Sequence, residues 1–285
     1  MPAEERYAEP ADIQPGRVIR QVDEPIRLGS LLWVFTDPHR GHELAYNRWY
    51  ERDHYYAGCM IGAWNFAGGR FVAPRAMKKL RIPQGPSAMT PDPMSGSYLA
   101  LYYVLAGHHD EWNRWAVDQV NWLHANARMF TERDHIHTLL YNYEWGFQRD
   151  PDGVSAELAL DHRFPGLSVV VGELAAGASH AEMAEWYQGE YLPAALGAGS
   201  PVALWLSFTP RPLLSDAPGD IPRTEGADRR FLQLAFLDVE PALVWEERFA
   251  GHGEQLAKSG LASLQWAAPF LPTVVGTDTY ADRLW

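Results

Sequence analysis

The 285-residue chain has little with which to build a disulfide, a membrane anchor or a nucleic-acid surface. Its single cysteine, Cys59, excludes an intrachain disulfide and fits a reducing, cytoplasmic compartment. No apolar run approaches the roughly 18 residues of a membrane-spanning helix, and the polar, acidic start Met1–Arg6 is unlike a signal peptide. Lys and Arg number 24 against 36 Asp and Glu, and this net charge of −12 argues against nucleic acid as a partner.

Aromatic residues, in contrast, are abundant. Phe, Trp and Tyr make up 13% of a chain that is 47% hydrophobic and 21% charged, which is a globular composition. An aromatic excess suits both a well-filled core and a pocket for a flat, hydrophobic ligand. The length predicts about two domains.

The hydrophobic pattern predicts the order β-α-β-β-α-β twice. For the first copy we expect strands at 30–36, 63–73, 98–105 and 136–147, and helices at 41–60 and from Asp110 to about Phe130. For the second copy we expect strands at 167–174, 202–208, 231–239 and 261–268, and helices at 179–196 and from Pro241 onward. Trp49-Tyr50 and Trp186-Tyr187 lie in the first helix of each copy, at an offset of 186 − 49 = 137 residues.

These elements predict an α+β fold made of two tandem ferredoxin-like domains. The predicted organisation is an N-terminal arm (1–29), a first domain (30–148), a linker (149–166) and a second domain (167–285). Two long segments rich in Pro and Gly, 75–96 and 211–229, join the second and third strands of each copy. Loops of this length often close over a site, so the first segment is a candidate lid.

The run from Asn47 to His54, followed by Gly62 and by a strand carrying Arg70 and Phe71, resembles the EthD-like proteins of the dimeric α/β-barrel superfamily. The family pattern is Trp-Tyr, three residues, then His, often with a nearby proline that this chain lacks after His54. The resemblance implies two ferredoxin-like sheets packing face to face, here within one chain. It also implies cofactor-independent cyclases, isomerases, dehydratases or monooxygenases that act on polyketides or aromatics, alongside haem-dependent relatives.

The candidate site follows from this motif. We expect His54 to act as general acid or base, because the pKa of a free imidazole lies near neutrality, and Asp53 to tune the site. Helical spacing places Trp49, Asp53 and Tyr56 on one stripe and Tyr50 with His54 on the next. The predicted substrate-binding residues are Trp49, Tyr50, Tyr56, His137, Tyr141 and Tyr143. The alternatives are that Asp53 and His54 lie at a solvated helix edge, and that the aromatic residues of the strand only pack in the hydrophobic core.

Two further clusters have both a structural and a functional interpretation. His135 and His137 are two apart on a strand and hence on one predicted face, but no third ligand follows from the spacing, and we expect no metal site. Four basic residues, Arg75, Lys78, Lys79 and Arg81, either steer an anionic substrate or form a solvated patch. Cys59 is expected to be an inert, buried thiol.

The function predicted from the sequence is cofactor-independent acid/base catalysis of the cyclase, isomerase or dehydratase type. The partner is a hydrophobic aromatic or polyketide-like small molecule, with one catalytic half and one scaffolding half because Tyr191 stands where the first copy has His54. The alternatives are a haem-binding enzyme with a histidine axial ligand and a non-catalytic binding protein. A homodimer stays open, and neither nucleic acid nor membrane is expected as a partner.

Overall fold

A computed structural model of the chain describes residues 26–221 and 227–285. The strands are β1 (Leu28–Pro38), β2 (Asn65–Val72), β3 (Tyr98–Leu105), β4 (Arg133–Gln148), β5 (Gly166–Leu174), β6 (Val202–Arg211), β7 (Arg230–Leu237) and β8 (Ala262–Pro272). The helices are α1 (Glu43–Trp49), α2 (Arg75–Lys78), α3 (His109–Ala125), α4 (His180–Trp186), α5 (Leu192–Ala195), α6 (Trp245–Arg248) and α7 (His252–Lys258). Most of the predicted N-terminal arm, and residues 222–226 of the second long loop, lie outside the described residues.

The eight strands close one antiparallel barrel in the order β1-β3-β2-β8-β5-β7-β6-β4. The first four strands read β4-β1-β3-β2 and the last four β8-β5-β7-β6, so each half has the strand order of a ferredoxin-like sheet. The halves meet at two unequal seams. β4 and β6 share eight register pairs, whereas β2 and β8 share only the two formed by Phe71 and Val72.

Aromatic side chains fill the barrel interior, because each strand directs alternate residues inward. Phe35 on β1 lies between two rings of β8, with ring centroids 5.5 Å from Trp266 and 5.9 Å from Phe270. The opposite face of the sheet packs against the helices. The strand predicted at 98–105 is confirmed as β3, which has seven buried residues out of eight.

The helix predicted over 41–60 is confirmed in position, from Glu43 to Met60, but its geometry differs from the predicted spacing of three and four residues. It is α-helical only in α1 and continues as two π-helical turns, Tyr50–His54 and Tyr56–Met60. The second half does the same after α4, with a π-helical turn at Tyr187–Tyr191. Ser179 and Glu182 form a capping box at the start of α4. The helix predicted from Pro241 is broken into a 3₁₀ turn, α6 and α7.

Both interpretations of the basic cluster after β2 are wrong for two of its four residues. Lys78 and Arg81 are buried, since the Lys78 Nζ donates to Ser97 Oγ at 2.8 Å and the Arg81 guanidinium donates to the Pro93 carbonyl at 2.9 Å. These side chains fasten the segment 75–96 to the end of the barrel, so they neither form a solvated patch nor steer a ligand.

The last residues of the chain cross over to the first half. The Asn47 Nδ2 donates to the Thr277 carbonyl at 3.0 Å, and the indole of Trp285 donates to Glu43 at 2.6 Å.

No helix within the described ranges is both long enough and apolar enough to cross a membrane.

Candidate active site

The π-helical turn after α1 fixes the position of His54. A π turn takes about one residue more than an α turn, so the ring of His54 stacks on Trp49, five residues earlier, with centroids 4.5 Å apart and planes 17° apart. The ring of Tyr50 meets the same imidazole edge to face at 5.2 Å. Of the imidazole nitrogens, Nδ1 is buried and has no hydrogen-bond partner among the described residues.

His54 borders a small cavity between the outer face of the barrel and α3, which we call the His54 cavity. Its volume is about 80 Å³. Its walls are largely apolar. β1 contributes Leu32 and Val34, the π-helical turn Tyr56–Met60 contributes Cys59, and α3 contributes Trp112, Ala116, Val117 and Val120. The Cys59 thiol is buried, and burial raises its pKa to about 12, so it stays protonated as expected for an inert thiol.

Polar groups converge at one end of the His54 cavity. Arg133 and His135 come from the start of β4 and His124 from the end of α3, while Asp220 comes from the loop after β6. The Arg133 Nη2 lies 3.2 Å from Asp220 Oδ2 and 3.0 Å from His135 Nε2. The Asp220 carboxylate is also 3.6 Å from the imidazoles of His124 and His135.

The two imidazoles nearest the apolar walls are neutral near pH 7. Burial, followed by the charge of Arg133, lowers the pKa of His54 to about 3. The same two causes lower the pKa of His135 to about 4. Burial also raises the pKa of the Tyr50 phenol well above its usual range, and its hydroxyl is hydrogen-bonded to Tyr102 at 3.0 Å. The cavity therefore contains neutral donors and acceptors beside the ion pair of Arg133 and Asp220.

The structure separates the other predicted residues of the motif. Asp53 is bonded to the Arg128 guanidinium at the surface, with its side chain one third exposed, and the indole of Trp49 donates to the Arg128 carbonyl at 3.0 Å. Tyr56 is 53% exposed and lines a different hollow, so its predicted place on the stripe of Trp49 is wrong. The π turns cause this, because each one rotates the following residues away from α-helical spacing.

The predicted strand residues also do not meet His54. His137, Tyr141 and Tyr143 belong to the barrel interior, where His137 Nε2 lies 3.4 Å from the Tyr141 hydroxyl. His135 does not share their face, contrary to the prediction. A register shift places His135 opposite Thr36 and His137 opposite Phe35, so this β-bulge turns the two imidazoles to opposite sides of the sheet.

The second half repeats the ring geometry with different chemistry. Trp186 stacks on Tyr191 with centroids 5.3 Å apart, as Trp49 stacks on His54. In the second half, His252 of α7 lies against these rings and is hydrogen-bonded to the Tyr187 hydroxyl at 2.9 Å and to the Tyr191 hydroxyl at 2.8 Å. Burial lowers the pKa of His252 to about 4.

Sequence reasoning missed Gly58 beside His54, and it did not assign the four polar residues at the end of the cavity to the site: His124, Arg133, His135 and Asp220. Gly58 lies directly under the imidazole, and a Cβ there would come within 2.8 Å of His54 Cε1. Its match at the same offset, 58 + 137 = 195, is Ala195, and this contrast was readable from the sequence. Arg133, His135 and Asp220 carried no local signal, because a bulge and a distant loop bring them together. No group of three or more possible ligands in the described ranges could hold a metal ion.

No family model matches the chain, and no curated protein matches it. Among solved structures, the chain is similar to an anthrone oxidase-like protein, with TM-score 0.51 and 10% identity over 89% of this chain and 98% of that one. It is also similar to a dye-decolorizing peroxidase from Bacteroides thetaiotaomicron VPI-5482, with TM-score 0.52 and 7% identity over 91% and 96%. A heme-binding protein from Thermus thermophilus matches at TM-score 0.39 and 12% identity over 92% and 96%. The fold is therefore a ferredoxin-like, dimeric α+β barrel; membership of the EthD-like proteins stays a prediction.

Proposed function

We propose that the chain is an enzyme in which His54 moves a proton to or from a hydrophobic, aromatic small molecule in the His54 cavity. The observation that carries this proposal is the neutral imidazole, held between two aromatic rings beside a cavity, with a buried Nδ1 that no described residue satisfies. A buried polar atom without a partner is costly, and active sites are among the places where such atoms are retained.

The low pKa of His54 has a consequence for catalysis. An imidazole with a pKa of about 3 is a poor base in the empty site. When it takes a proton from a bound molecule, however, it gains an anion as its neighbour, and an opposite charge nearby favours the imidazolium. Arg133 stabilises the same anion. Proton transfer and charge pairing thus support each other only when a ligand is present.

The reaction type is the part of the proposal that the comparisons inform. Two neighbours with TM-scores above 0.5 are named as an anthrone oxidase-like protein and a peroxidase, and these names favour oxidation of an aromatic molecule over the cyclisation, isomerisation or dehydration predicted from the motif. We therefore place proton removal by His54 before an oxidation step with O2 as oxidant. In that step the substrate anion gives up two electrons and a second proton, and O2 takes them together with the proton held by His54 and leaves as hydrogen peroxide. We propose that the ion pair of Asp53 and Arg128 fixes the position of the helix that carries His54, and that the rings of Trp49 and Tyr50 fix the orientation of the His54 imidazole.

Haem binding is the second candidate. The peroxidase neighbour supports it at least as well as a cofactor-independent reaction, because a proximal histidine holds haem iron in peroxidases. The His54 cavity does not fit a porphyrin, because its 80 Å³ is less than the roughly 150 Å³ of an apolar cavity that takes up benzene. A cleft of about 610 Å³ beside the β2–β8 seam is large enough. Of the described residues that line this cleft, one is a histidine, His162, and it would hold the iron, which supplies redox chemistry when haem is bound.

Purified protein with and without added haemin decides between the two. A Soret band that His162→Ala abolishes and His54→Ala keeps supports the haem candidate. Without such a band, oxygen uptake on a panel of phenols and anthrones measures the activity. His54→Ala should then lose about 10²–10⁴-fold in turnover, the usual contribution of a general acid or base. Tyr191→Phe is the matched control and should stay within a few-fold. Near-normal turnover of His54→Ala would refute the proton-transfer role.

We also propose that the two halves are a tandem duplication, with one catalytic half and one scaffolding half, divided as 30–148 and 167–285. The paired rings of Trp49 with His54 and of Trp186 with Tyr191 support it, as does the repeated strand order. The homodimer stays a prediction.

A further inference from the structure

The loop that follows β6 closes the His54 cavity with a carboxylate. Residues 213–221 contribute five of the groups that line it: Leu213, Ala217, Pro218, Asp220 and Ile221. Four of these are apolar. The fifth, Asp220, points its carboxylate at the polar end of the cavity, where Arg133, His135 and His124 converge.

Arg133 needs a carboxylate at this place. Its side chain is only 6% exposed, and a guanidinium remains charged in proteins. A buried charge without an opposite charge is strongly destabilising. In the part of the chain that the structure describes, Asp220 is the one carboxylate that forms an ion pair with Arg133, and it belongs to the other half of the molecule.

The pairing is incomplete. A guanidinium and a carboxylate can form two parallel hydrogen bonds, but Arg133 reaches Asp220 through Nη2 alone, and the Asp220 side chain is 39% exposed at the mouth of the cavity. Each imidazole is 3.6 Å from the carboxylate, beyond hydrogen-bond distance. A better-placed carboxylate would therefore satisfy Arg133 and His124 more fully.

We propose that Asp220 occupies the position of a ligand carboxylate, and that the substrate class of the His54 cavity is an aromatic carboxylate. The ligand's carboxylate pairs with Arg133 and accepts a hydrogen bond from the imidazole of His124, while His135 keeps its Nε2 as acceptor for Arg133. Its ring lies against the apolar walls of β1 and α3, next to His54. Asp220 and the apolar residues of its loop must withdraw for the ring to enter, because 80 Å³ leaves no room for it. The proposal rests on the proposed function for its site.

Competition between two carboxylates is measurable with a simple pair of probes. Benzoate carries the charge and the ring, and benzamide carries the ring without the charge. Isothermal titration of both probes into the full-length wild type and into Asp220→Asn compares them. The control is Asp118→Asn on α3, because the Asp118 side chain is 70% exposed and pairs with Arg114 at the surface.

Asp220→Asn should bind benzoate about tenfold or more tightly than the wild type, since a competing hydrogen bond between charged groups has been removed. Benzamide should also gain, because its ring displaces Asp220 as well, but in Asp220→Asn benzoate should bind about tenfold or more tightly than benzamide, since only benzoate supplies Arg133 with a countercharge. Adding Arg133→Gln to Asp220→Asn should remove this preference for benzoate, and Asp118→Asn should bind benzoate like the wild type. Equal benzoate affinity in the wild type and Asp220→Asn overturns the proposal. Equal affinity of Asp220→Asn for benzoate and benzamide also overturns it, because the ligand's charge would then play no part.

These outcomes are separate from those that test His54. Benzoate binding needs no turnover, so the gain in Asp220→Asn survives even if His54→Ala proves fully active. Conversely, loss of activity in His54→Ala together with unchanged benzoate affinity in Asp220→Asn keeps the proton-transfer role and rejects the carboxylate class.

Discussion

Replacing Gly58 by alanine should displace the imidazole of His54 without removing it. The Cβ added at this position would lie 2.8 Å from Cε1 and 3.0 Å from Nδ1 of the ring. Ordinary contact begins at 3.4 Å, so the ring must retreat by at least 3.4 − 2.8 = 0.6 Å. Trp49 is stacked on one face of the imidazole, so the ring has to leave its present buried position.

The expected magnitude follows from this displacement. A misplacement of about 1 Å costs on the order of 10²-fold in rate, so Gly58→Ala should lose about ten- to a hundredfold in turnover, less than His54→Ala. Because burial is the main cause of the low pKa of His54, the displaced ring should titrate above its present value of about 3, toward the usual 6.5. Titration of the Cε1–H signal by NMR, assigned with His54→Gln, measures this shift.

Two controls make the experiment decisive. Gly189→Ala changes the π turn Tyr187–Tyr191 of the second half, where a Cβ meets nothing within 4 Å, and it should alter neither the turnover nor the pKa of His54. In the His54→Ala background, Gly58→Ala meets no ring; it should leave turnover unchanged and raise the free energy of unfolding by about 1 kcal/mol through helix propensity. If Gly58→Ala keeps both the pKa of about 3 and full turnover, the placement of the imidazole over Gly58 is wrong.

Two predictions concern stability. The pKa of His252 is about 4 in the folded protein and about 6.5 in the unfolded chain, so the unfolded chain takes up the proton first as the pH falls below 6.5. The stabilisation that comes from burying neutral His252 is complete at pH 8, and it should be about 2 kcal/mol smaller at pH 5. In urea unfolding between these two pH values, the free energy of unfolding of His252→Gln should fall by about 2 kcal/mol less than that of the wild type. His162→Gln is the control and should fall as much as the wild type. Lys78→Met should lower the free energy of unfolding by about 3–5 kcal/mol, because it leaves the buried Asp37 carboxylate, 3.9 Å from Nζ, without its countercharge. Asp37→Asn added to it should restore part of the loss in the same urea assay, and full stability of Lys78→Met alone would contradict the burial argument.

The strands were the most predictable part of the fold. β3 is buried on both faces, so its sequence is a continuous apolar run with sharp ends. The positions of the helices after β1 and β5 were predicted correctly, but their geometry was not. A π turn lengthens the spacing between residues on one helix face by one residue, and it has no signature in the amino-acid composition. This single residue moved Tyr56 away from the site and placed His54 over Trp49.

The candidate site was predictable only where it is local. Trp49, Tyr50 and His54 are close in sequence, and the motif named them. Arg133 and His135 face the cavity because of a bulge in β4, which depends on the pairing with β1. Asp220 reaches it from the other half, and nothing in its own surroundings marks it. The buried Lys78 was mistaken for a surface residue, because its partners Asp37 and Ser97 are distant in sequence.

The unequal seams of the barrel also set an order for folding. β4 and β6 are separated by residues 149–201, which include β5, α4 and α5. Because their pairing gains eight register pairs for closing a loop of this moderate length, we expect it to form early. β2 and β8 are about 200 residues apart and gain two register pairs for a much longer loop, which costs more chain entropy. We therefore expect the β2–β8 seam to close last and to open first. Its amides should exchange with solvent faster than those between β4 and β6.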